Sequence, residues 1–120
     1  MGKWVTVMGE QGVVCDRCEL ADSAWTRLRG LMGRARLAPG GGLMLRPASA
    51  IHTSFMRFPI DAVFLDDDLR VLRVRERLRP WRAAAVPGAA AVLELAAGQA
   101  ASKGLVPGAR LGMTTLREGS

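Results

Sequence analysis

Apolar and polar positions alternate with period two in several short runs of this chain, the pattern of strands with one buried face. Trp4 to Met8 alternates bulky residues as far as Gly9. Gly9-Glu10-Gln11-Gly12 carries the glycines of a tight turn, so Val13 to Leu20 is expected to return as a second strand. The period then changes. Asp22-Ser23 offers a helix N-cap, and Trp25, Leu28, Leu31 and Met32 fall on one face at helical spacing before Gly33, which predicts a helix over 24–32. Leu37 to Gly42 reads as a loop into a short strand at Leu43-Met44-Leu45, closed by Pro47.

The next apolar run, Ile60 to Leu65, is hydrophobic at successive positions, which is how a strand covered on both faces reads. Asp66-Asp67-Asp68 makes a polar turn. Leu72, Val74 and Leu78 then alternate with Arg73, Arg75, Arg77 and Arg79, a strand with one core face and one row of arginines. Glu76 falls on the apolar side, so a bulge must reset the register there or the strand leaves the core. Ala83 to Ala91 reads as a small-residue linker around Pro87-Gly88, Val92 to Leu95 as a strand, and 97–103 as a short helix closed by Gly104. Pro107-Gly108 turns into a last strand near Ala109 to Leu116. The expected architecture is one α+β domain over residues 1–120. Its sheet is curled, mainly antiparallel and barrel-like, with about six strands and helices near 24–32 and 97–103.

Composition adds little to the fold and more to the list of partners. With 120 residues, 49% of them hydrophobic, the chain can bury a core, and only three Trp and three Phe contribute aromatic volume. The net charge of +6 and pI near 10.9 favour an acidic partner. That charge is mostly arginine, and no aromatic residues interleave the basic ones as stacking platforms, which disfavours nucleic acid. No run approaches the roughly 20 apolar residues of a membrane helix. Gly2 followed by Thr6 fits a myristoylation pattern, but Lys3-Trp4-Val5 reads better as the start of a strand, and no apolar export segment is present. A cytoplasmic protein without a transmembrane segment is expected, bound to a small ligand or a protein.

Several chemistries can be set aside. Cys15 and Cys18 form a single CxxC, whereas a structural zinc site usually takes two such pairs, and cysteines three apart on a regular strand point to opposite faces. They are read as reduced thiols, with no metal or cofactor. The three glycines at 40–42 lack the Lys-Ser or Lys-Thr of a phosphate loop. Counted from Asp66, the Gly and Glu of a calcium loop are replaced by Val71 and Arg77. What survives is the stretch around the only histidine: His52, Ser54, Met56, Arg57 and Asp61, with Trp81, make the candidate site. Asp61, inside an apolar strand, needs a partner, because an unpaired buried carboxylate costs several kcal/mol or is protonated. The expected partners are N–H groups of the preceding segment, His52 or Arg57.

Three blocks carry a family resemblance: Arg29-Gly-Leu-Met32, Phe55-Met-Arg-Phe-Pro-Ile-Asp-Ala-Val-Phe-Leu-Asp66, and Val92-Leu-Glu-Leu-Ala-Ala-Gly98 followed by Gly104 and Val106-Pro-Gly108. Across about residues 22–112 the chain resembles the Domain of Unknown Function 192 family. The resemblance implies that Pro59, Asp61 and Glu94 matter to the fold and draws attention to residues 52–61, without implying an activity. Many members carry cysteines where this chain has Pro80 to Ala91, so no role of theirs transfers. Three readings are carried forward. The first is a non-enzymatic binding module whose groove is lined by His52, Ser54, Met56, Arg57 and Trp81. The alternatives are an enzyme using His52 and Asp61 as an acid–base pair, or an anion surface formed by Arg73, Arg75, Arg77 and Arg79.

Overall fold

The computed structural model describes residues 3–23, 30, 34, 36–38 and 40–115. In chain order the strands are β1 (Lys3–Gly9), β2 (Gly12–Ala21), β3 (Gly41–Leu45), β4 (Ala50–His52), β5 (Ile60–Leu65), β6 (Val71–Leu78), β7 (Ala83–Ala85), β8 (Ala91–Ala96) and β9 (Gly112–Thr115). One helix, α1 (Gln99–Ser102), lies between β8 and β9. Seven strands form one sheet in the order β6-β5-β8-β3-β2-β1-β9, and β4 pairs with β7 in a separate ribbon. β2 and β3 run parallel, and the other neighbours in the large sheet are antiparallel.

The residues of the adjacent strands β5, β8 and β3 alternate between two cores. Leu43, Leu45, Ile60, Ala62, Phe64 and Val92 pack on one side with Ile51, Met56 and Ala84 from the β4–β7 layer. Met44, Val63, Leu65, Leu93 and Leu95 pack on the other side with Ala100, Leu105 and Leu111. Every residue of β5 is buried, so the unbroken apolar run is a strand covered on both faces, as its sequence indicates. The triple-aspartate turn is local: Asp66 Oδ1 accepts the N–H groups of Asp68 and Arg70, both at 2.9 Å.

The α+β, barrel-like expectation is overturned. The described chain is mostly β, with nine strands and one four-residue helix, and its large sheet is open. Its edges, β6 and β9, are not paired with each other as strands; the bridge of Arg70 to Arg110 and the backbone hydrogen bonds of Val71 with Gly108 and Ala109 and of Leu111 with Leu69 join only the chain around their starts. Two causes are visible. The three-residue strands β4 (Ala-Ile-His) and β7 (Ala-Ala-Ala) are too short to show the apolar alternation by which a strand is recognised, and they form because each supplies the other's hydrogen-bond ladder. The helix near 97–103 is shorter than expected because Gly98 and Gly104, at φ 92° and 71°, bracket it. The helix expected over 24–32 falls, apart from Gly30, outside the described residues.

The β1–β2 and β5–β6 pairs each contain two register shifts, and one in each pair redirects the side chains of interest. Val5 faces Cys18 while Val7 faces Cys15, so β2 carries an extra residue between the cysteines. Both thiols therefore enter the same core, contrary to the regular-strand expectation. In β6, Ile60 faces Leu78 and Ala62 faces Arg75, which places the second bulge at Glu76 and Arg77. This is the register reset that the position of Glu76 requires. It also splits the arginine row: Arg73 and Arg75 lie on the side of Phe64 and Ala62, and Arg77 and Arg79 on the other.

Candidate functional site

Asp61 sits at the junction of the β6 bulge and the start of α1. Its Oδ1 accepts the Arg77 N–H at 3.0 Å, and its Oδ2 accepts those of Gly98 and Ala100, each at 2.9 Å. The side chain is fully buried. Three N–H groups that neither ladder nor helix satisfies are thus met by one carboxylate. They come from later elements, not from the segment preceding Asp61, from His52 or from Arg57. His52 is exposed, and its Nδ1 accepts the backbone N–H of Ser54 at 3.2 Å. His52 and Asp61 therefore share no hydrogen bond, and the geometry does not join them as an acid–base pair.

Thr53, a residue that the sequence analysis did not single out, is fully buried. Its N–H donates to the Arg82 carbonyl at 2.7 Å, and its carbonyl accepts the N–H groups of Met56 (3.2 Å) and Trp81 (3.1 Å). Its hydroxyl lies 2.6 Å from the Arg79 carbonyl and 3.1 Å from that of Arg82, and accepts the Arg82 N–H at 2.8 Å. One side chain thus latches the loop after β4 to the loop before β7. The only sequence signal is its place beside His52, since a threonine hydroxyl suits either surface or interior.

The latch presents two aromatic rings. Phe55 and Trp81, one from each loop, meet edge to face with centroids 4.6 Å apart. Each is 60% exposed, and each backbone is left-handed, at φ 63° and 62°. Large side chains rarely adopt that region, and holding them there costs on the order of 1–3 kcal/mol each. Of the residues expected to line a groove, His52, Arg57 and Trp81 are exposed here and Ser54 is partly so, but Met56 is 5% exposed and points into the core. Phe55 takes its place on the surface. Residues 46–59 and 77–90 together carry five arginines and no carboxylate.

Beside this tip, Arg75, Glu76, Arg77, Leu78, Arg79 and Arg82 border a cavity of about 290 Å³ along the edge strand β6. The bulge lets arginines from both sides of the strand reach one opening. Among the described residues no carboxylate lies within 4 Å of these four guanidinium groups; the ion pairs are Lys3–Asp22 at 2.7 Å and Arg34–Glu19 at 2.6 Å, both elsewhere.

Two further groups are unusual. Glu94, on β8, is 2% exposed and its Oε1 has no hydrogen-bond partner among the described residues. Burial pushes its carboxyl up to about 8, against the pull of the Arg34 charge. Cys15 and Cys18 are free and buried, and the Cys18 thiol donates to the Glu19 carbonyl at 3.7 Å; the interaction between the two thiols holds Cys15 down and pushes Cys18 up, with burial raising Cys18 further. No group of three or more His, Cys, Asp or Glu among the described residues could hold a metal ion. No helix among them is long and apolar enough to cross a membrane.

Known structures place this fold in company. A protein of unknown function from Novosphingobium aromaticivorans DSM 12444 is similar, with a TM-score of 0.80 and 29% identity over 91% of this chain and 83% of that one. A protein described as a "putative transcription regulator", from Sinorhizobium meliloti 1021, has a TM-score of 0.80 and 26% identity over 94% of each chain. A search of curated proteins returned no match. The family model of DUF192, described as "Uncharacterized ACR", matches residues 5–113, including the β5 and β8 blocks that hold Asp61 and Glu94, and the chain belongs to that family of unknown function.

Proposed function

We propose that this protein is a small non-enzymatic binding module that docks through the tip made by residues 52–57 and 79–82. The observation that carries this reading is the pair Phe55 and Trp81, two rings left 60% exposed on left-handed backbone and fastened in place by buried Thr53. Exposed, strained aromatics persist where the surrounding structure over-determines them, and aromatic and arginine side chains are the commonest anchors of interfaces. The surrounding arginines select an anionic partner. A reducing, cytoplasmic setting suits the two free thiols. The acid–base reading of His52 and Asp61 lacks a comparable observation, since their hydrogen bonds go to different groups.

The test follows Trp81 itself. In a Trp4→Phe/Trp25→Phe background, its fluorescence is titrated with polyglutamate and with phosphatidylcholine vesicles containing phosphatidylglycerol. Docking at the tip gives a shift in emission with at least one probe, lost at high salt and in Phe55→Ala. Binding of a probe without any change in Trp81 emission, or no binding of either, overturns the reading.

A further inference from the structure

We infer that the cavity at the β6 bulge, bordered by Arg75, Arg77, Arg79 and Arg82, is a binding site for a multiply charged phosphate-type anion. Four arginines border one opening of about 290 Å³, and the single carboxylate on its border is Glu76. That excess of positive charge favours a multiply charged anion over a monoanion, and the planar fork of arginine matches phosphate oxygens. The site is also built. Arg77 is fixed through its N–H, which donates to buried Asp61, and Arg79 and Arg82 through the carbonyls that contact the hydroxyl of buried Thr53. The Arg77 guanidinium passes close to Gly98, where a Cβ would stand 3.5 Å from its Nη2. The two buried polar side chains that are hydrogen-bonded here thus hold the backbone of three of the four arginines. A strand edge needs charge to resist pairing with other chains, but that need is met by arginines pointing anywhere along it. Convergence on one cavity with anchored backbone is what a ligand adds. The same phosphate chemistry is offered by a lipid headgroup or by a free phosphate compound. Only the lipid arm rests on the docking tip proposed above.

Isothermal titration with pyrophosphate, against sodium chloride at matched ionic strength, tests the site. The wild type is expected to bind pyrophosphate, Arg79→Gln/Arg82→Gln to bind at least about tenfold more weakly, and Arg73→Gln, outside the cavity, to stay within about twofold. Thermal unfolding without ligand checks that each variant is folded. Pyrophosphate heats no larger than those of chloride, or a double variant that binds like the wild type, overturn the proposal. Vesicles of phosphatidylcholine with and without phosphatidic acid then separate the sources. Binding that requires phosphatidic acid and weakens in Phe55→Ala/Trp81→Ala, with pyrophosphate binding intact, assigns the site to a headgroup at a membrane; pyrophosphate binding alone assigns it to a free phosphate compound. If the aromatic variant binds those vesicles like the wild type while the arginine variant does not, the docking tip fails and the anion site stands.

Discussion

Two buried carboxylates illustrate opposite solutions to the same physical problem. Asp61 is satisfied by three backbone N–H groups, so removing it strands three donors at once. An unsatisfied buried donor costs about 1–3 kcal/mol, and Asp61→Ala is expected to lose at least about 3 kcal/mol in urea unfolding. A loss below about 1 kcal/mol would mean that solvent reaches those groups. Glu94 has burial without an adequate partner, and its carboxyl, ordinarily near 4.5, is held near 8. Below 4.5 it is neutral in both folded and unfolded chains and carries no penalty. Between 4.5 and 8 the unfolded chain alone ionises, so Glu94 lowers stability progressively as pH rises, and above 8 the difference levels off. Glu94→Gln is therefore expected to gain on the wild type across that window, by on the order of 3 kcal/mol at pH 7. Urea midpoints of both proteins at pH 5, 7 and 8.5 measure it, and a gap that does not change with pH refutes it.

At the scale of elements, the β4–β7 ribbon and its two loops behave as one unit because Thr53 joins them. Each of these strands has three residues, too few to be stable alone. Thr53→Val keeps the shape and removes the hydroxyl that serves the Arg79 and Arg82 backbone. The expected result is a loss of about 1–3 kcal/mol together with faster amide hydrogen exchange at Trp81 and Arg82. Unchanged exchange at those amides would remove the latch from the account. Some of this unit can be read in the sequence: His52, Arg57 and Trp81 mark its surface. Phe55 and Met56 cannot be assigned that way, because a left-handed turn at Phe55 reverses which neighbour faces out. The bulge in β6 is signalled by Glu76 on an apolar face. The bulge in β2 is not, since Cys15-Asp16-Arg17-Cys18 is compatible with either register.

For the whole molecule, local pattern located most strands of the large sheet, the glycine turn between β1 and β2, and the doubly covered β5. These features depend on periodicity and turn chemistry, which neighbouring residues specify. The charge of +6 and its concentration in arginine are likewise properties of the chain alone. Tertiary structure decided what depends on distant partners. It set the open order of seven strands, the pairing of the two three-residue strands β4 and β7, too short to carry a period of their own, and the donors around Asp61, which come from residues 16 to 39 positions away. It also divided the arginine row at a bulge and gathered part of it around one cavity beside two exposed rings. A sequence specifies which residues want burial, charge or a turn; which of them meet is settled by long-range pairing and bulges, whose energies belong to no single stretch of chain.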